Sequence, residues 1–83
     1  NNYEEVHIVG TLPKNPTGDI VGMVYNPALD PNYFEFQLKD SLNRTEKVLY
    51  FQAKPQDFER SEKIVVIGKA KKNVFIASKI LMK

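Results

Sequence analysis

His7 is the only histidine among the 83 residues, and no cysteine accompanies it. A protein metal centre needs three or four nitrogen, sulfur or carboxylate donors brought together. The acidic residues here are scattered, so His7 reads as a surface residue of a strand rather than as a ligand or general base. No serine, histidine and acid constellation and no glycine-rich phosphate loop can be found, which argues against an enzyme. The other pattern with chemical meaning is aromatic. Rings are interleaved with lysines in Tyr33 to Lys39 and again in Lys47 to Lys54, as in a stacking platform beside a cationic groove for single-stranded nucleic acid. The same interleaving describes a β-barrel core flanked by solvated lysines. A formal net charge of +2 favours the second description, because nucleic-acid affinity rests mainly on phosphate neutralisation.

The elements that must position these residues are short. Eighty-three residues make a single domain, 1–83, that buries roughly 60 to 65% of its unfolded surface. With 42% hydrophobic and 27% charged residues the composition is that of a folded globular domain. The absence of cysteine leaves the core without disulfides. Uninterrupted apolar runs such as Ile64 to Ile67 are far short of the ~20 residues of a membrane-spanning helix. Because the chain opens on Asn1, it is expected to be a piece of a longer protein, with any anchor outside it.

Proline and glycine divide the chain. Val6 to Leu12 alternates as a half-buried strand, with Gly10 marking a bend and Pro13 ending the ladder. Lys14 to Asp19 is turn chemistry. Ile20 to Tyr25 can continue the sheet before Pro27 and Pro31 interrupt pairing. The following stretch organises the rest: Phe34, Phe36 and Leu38 face one way and Tyr33, Glu35 and Gln37 the other. After a turn at Ser41 to Glu46, Lys47 to Ala53 forms a third strand with apolar bulk on both faces, one of which should meet another segment or a ligand. Pro55 to Glu62 is the single helical candidate, anchored by Phe58. Lys63 to Gly68 and Val74 to Met82 are the last two strands, around a hairpin at Lys71 to Asn73. In the last strand Ile80 or Leu81 rejoins the inner face, depending on a bulge near Ser78. Three strands, a short helix and two strands is the element order of the OB-fold, a five-stranded Greek-key barrel. An SH3-like barrel is the alternative.

The residues also carry a resemblance to a known family. Val6, Ile8, Gly10 and Leu12 resemble the V-x-V-x-G-x-V opening of the CcmE heme chaperones of cytochrome c maturation, and Asp30-Pro31-Asn32 matches their DPN. Tyr50, Pro55, Phe58, Ile64, Val65 and Gly68 follow the spacing Y-x4-P-x2-F-x5-V-V-x2-G, and Ala77, Ile80, Leu81 and Lys83 resemble the closing A-x2-V-L-x-K. The loop before Asp30 is longer than in that family and the last hairpin about one residue shorter.

The resemblance implies a carrier of heme, anchored at the periplasmic side of the cytoplasmic membrane, that passes its cargo to cytochrome c assembly proteins. It implies that the covalent heme residue, His or Cys, follows Lys83 and lies outside this chain, so His7 is not its counterpart. In an OB barrel the last strand runs parallel to the third, which brings the strand end and the helix to one rim. An apolar heme shelf is therefore expected from Phe58, Leu81 and Met82 with Tyr50 at its flank. The plainer roles are Phe58 capping the barrel, Leu81 filling the core and Met82 packing at a strand end. The alternative function is an OB-fold module for single-stranded nucleic acid.

Overall fold

The computed structural model describes residues 4–83. Six strands form one sheet: β1 (Val6–Gly10), β2 (Val24–Tyr25), β3 (Phe34–Lys39), β4 (Thr45–Tyr50), β5 (Ile64–Ala70) and β6 (Phe75–Met82). Their spatial order is β1-β5-β6-β4-β3-β2. All neighbours are antiparallel except β4 and β6, which run parallel through Val48–Phe75, Leu49–Ile76 and Tyr50–Ala77. The all-β order and the parallel pairing are those expected of the OB-fold, with the two-residue β2 as an extra edge strand. The ladders do not close into a continuous barrel. Thr11 and Lys39 tie the open side with one antiparallel bridge, N–H to O distances being 3.0 and 2.8 Å.

Strand alternation determines the core. Phe34 and Phe36 are fully buried and Leu38 is 1% exposed, while the residues between them face outward. Val48, Ile64, Val66 and Phe75 complete the interior at 0% exposure. Phe34 and Phe36 stack at 5.1 Å between ring centres, and Phe58 meets the edge of each at 4.8 Å. Such ring pairs add to what area burial alone provides.

The expected helix at Pro55 to Glu62 is replaced by one 3-10 turn, Phe58–Arg60. Asp57 takes a left-handed conformation with φ 61°, which an α-helix does not admit but which aspartate tolerates. That reversal turns Phe58 inward to the core. The apolar piece Ile20 to Tyr25 contributes only β2, with Ile20 held separately by a bridge to Lys14. The third long strand begins two residues before Lys47 and stops at Tyr50, so Phe51 leaves the sheet.

Tight turns follow the chemistry of their residues. Asp40 Oδ1 accepts from the backbone N–H of Leu42 and of Arg44, and Asn43 supplies the positive φ of 65° that reverses the chain. In the last hairpin Lys71 N–H donates to the Val74 carbonyl, with Asn73 at φ 73°. The bulge falls at Ser78: Ile67 pairs with Lys79 but Gly68 pairs with Ala77, leaving Ser78 unmatched. Its Oγ donates to the Ile67 carbonyl at 3.0 Å. The extra residue reverses the parity of β6, so Ile80 packs against the core and Leu81 faces out.

Candidate functional site

The four residues expected to form an apolar shelf do not share a surface. Phe58 is fully buried beneath Phe34 and Phe36 and presents nothing to solvent. Tyr50, paired with Phe34 and Ala77, lies half-buried against the same core. Met82 pairs with the buried Ile64 at the end of β6 and is 38% exposed. Leu81 alone points from the opposite, outer face of the sheet, at 42% exposure.

On that outer face Leu81 has company that local sequence reading missed. Val9 pairs with Val65 across β1 and β5, and Val65 pairs with Leu81 across β5 and β6. The three form a transverse apolar row, with Val9 47% exposed and Val65 half-buried. The neighbouring row on the same face is His7, Ile67 and Lys79, again paired in register. Ile8, Val66 and Ile80, the residues between the two rows, pack inward. On the other side of the apolar row Lys63 and Lys83 exchange backbone hydrogen bonds of 2.9 and 3.2 Å, and both are exposed. Strand spacings of about 4.8 Å and a two-residue repeat of about 6.8 Å make the two rows a patch roughly 10 by 7 Å. Four apolar side chains floor it, His7 and Lys79 stand at its corners, and lysines edge it. The signal available in the sequence is the second apolar face of β5, Val65 and Ile67; the register that aligns it with Val9 and Leu81 is tertiary.

The aromatic and lysine pattern divides differently. Phe34 and Phe36 belong to the interior, whereas Tyr33 and the 53% exposed Phe51 meet at the surface with ring centres 6.0 Å apart. Lys47 pairs with Glu35 at 3.6 Å, and the Tyr33 hydroxyl donates to Glu35 Oε1 at 2.7 Å, which raises the pKa of the phenol. Lys54 is bound to the Glu59 carboxylate, holding the pKa of Glu59 below its usual range. No group of three or more histidine, cysteine or acidic residues is placed to hold a metal ion among the described residues. No helix among them is long and apolar enough to cross a membrane.

No curated protein matches the chain. A family model, the CcmE domain, matches residues 6–83, from the first residue of β1 to the end of the sequence. It spans every strand described above and agrees with the motifs distributed from Val6 to Lys83. The chain belongs to the CcmE family, the heme chaperones of cytochrome c maturation.

Proposed function

We propose that the outer face of β1, β5 and β6 is where this chain carries heme on its way to apocytochrome c assembly on the periplasmic side of the membrane. The observation that supports this reading is the in-register row Val9–Val65–Leu81 edged by Lys63 and Lys83. Heme is an apolar plate with two carboxylates on one edge, and the row offers apolar floor and cationic edge in the same arrangement. Covering the plate removes apolar surface from water at ~25 cal/mol per Å². The carboxylates stay at the solvated lysine edge, where no charge needs to be buried. An open face leaves the plate reachable by the protein that receives it, and the chain turns over no substrate. Its partners in this reading are heme and membrane proteins that load it and receive its cargo, with the full protein held at the membrane by a segment outside this chain.

A hemin titration followed by absorbance tests the reading, with a single-stranded oligonucleotide titrated in parallel. Saturable hemin binding that Leu81→Lys weakens by about tenfold, equivalent to ~1.4 kcal/mol, is the expected result. Tight, salt-sensitive oligonucleotide binding with no response to hemin would overturn it.

A further inference from the structure

We infer that His7 is an axial ligand to the iron of the porphyrin held on this face, an inference that rests on the reading of the face as a heme surface. Three observations lead to it. His7 is the only imidazole in the chain, and it stands exposed on the same outer face as Val9, Val65 and Leu81. Its neighbour along β1 on that face is Val9, and its neighbour across the ladder is Ile67, so two sides of the imidazole are bounded by apolar side chains. Lys79 lies beyond Ile67 in the same row, which puts cations on both sides of the apolar row.

Sheet geometry makes such a ligand effective. Side chains stand roughly perpendicular to a strand surface, so a plate that rests on Val9, Val65 and Ile67 and overhangs the β1 edge brings its iron over the imidazole at that corner. The valine and isoleucine side chains are shorter than histidine, which lets the ring nitrogen reach above the apolar floor. Imidazole is a strong iron ligand in porphyrin sites. Beside the residue lies an open depression of about 370 Å³, whose lining includes His7, Val9, Leu42 and Arg44 and the two carboxylates Asp40 and Glu46. This leaves the imidazole accessible and gives the plate room to overhang the edge of β1, with the 68% exposed Leu42 as a further apolar contact. The chain folds with no buried role for His7, so its side chain is free for a ligand.

The test separates the floor from the ligand by comparing iron protoporphyrin with metal-free protoporphyrin. Wild-type chain and His7→Ala should bind the metal-free ring equally, and Leu81→Lys should weaken both rings. His7→Ala should weaken binding of the iron ring by about tenfold, change its Soret and visible bands from those of an imidazole-ligated ferric heme, and regain them when free imidazole is added. Far-UV circular dichroism should be unchanged, because the residue is exposed. If His7→Ala keeps the wild-type heme spectrum, His7 is not the ligand, although the floor stands. If wild-type chain binds neither ring, the heme reading of the face fails and the ligand assignment with it.

Discussion

A Cβ added to Gly10 would lie 2.4 Å from the carbonyl oxygen of Lys39. The backbones of β1 and β3 thus come together where the sheet would otherwise stay open, one residue before the Thr11–Lys39 bridge. Gly10→Val forces these backbones apart and is expected to cost about 3 kcal/mol. In a domain of this size that is a drop in melting temperature of at least ~10 °C, measurable by thermal or urea unfolding. A variant of unchanged stability would show that the close approach does not exist in solution.

Phe58 is a plug, and its variants should behave as core variants. Phe58→Ala is expected to lose about 3–5 kcal/mol through the cavity it leaves, a large share of the roughly 4–12 kcal/mol available to a domain of this length at roughly 0.05–0.15 kcal/mol per residue. Phe58→Leu keeps most of the volume and should lose about 1–2 kcal/mol. The leucine variant should bind hemin as wild type does; a selective loss of hemin affinity in a stably folded Phe58→Leu would return the residue to the surface site.

The bulge at Ser78 assigns opposite directions to two adjacent apolar residues, and thiol labelling can read them. The chain contains no cysteine, so Leu81→Cys and Ile80→Cys each create a unique thiol. The cysteine at 81 should react faster than the one at 80, because Leu81 stands 42% exposed on the outer face whereas Ile80 packs partly buried against the core. Equal rates would mean that β6 pairs without the bulge.

Asp40 supplies an acid-sensitive stabilisation. Hydrogen bonds from the Arg44 backbone, and then its side chain, hold the carboxyl pKa below the ordinary value. The folded state therefore binds this proton less readily than the unfolded chain. The contribution is complete above the unfolded pKa and is lost as pH falls through the folded one. Asp40→Asn should flatten the acid limb of melting temperature against pH while leaving the neutral and alkaline portion nearly parallel to wild type. A limb as steep as wild type's would assign the acid sensitivity to other carboxylates.

The fold is legible in the sequence where a feature is local. The alternation of Phe34, Phe36 and Leu38 needs only the two-residue period of a strand, and it reproduces the buried face of β3. Local alternation leaves Ile80 and Leu81 as alternatives, and the pairing of Gly68 with Ala77 decides between them. Pro55 and Asp57 suit the first turn of a helix over 55–62. Tertiary demand to bury Phe58 outweighed that weak local preference, through a left-handed Asp57. The expected shelf failed for a related reason: topology brings a strand end and a connecting turn to one rim, but says nothing of which way Phe58 points. Val9, Val65 and Leu81 lie on three strands, and their alignment depends on two ladder registers that no single window of sequence contains.

The row Val9–Val65–Leu81 has a consequence for folding. Val65 and Leu81 meet as soon as the β5–β6 hairpin closes, a local event, whereas Val9 arrives only when β1 docks on β5 from far away in sequence. Loop closure of that kind is the slow part of assembling a β-domain. A chain caught before it has the hairpin but only two-thirds of the row. The outer surface thus records completion of the whole domain, and molecules still in assembly are distinguished from finished ones by the absence of a continuous apolar strip.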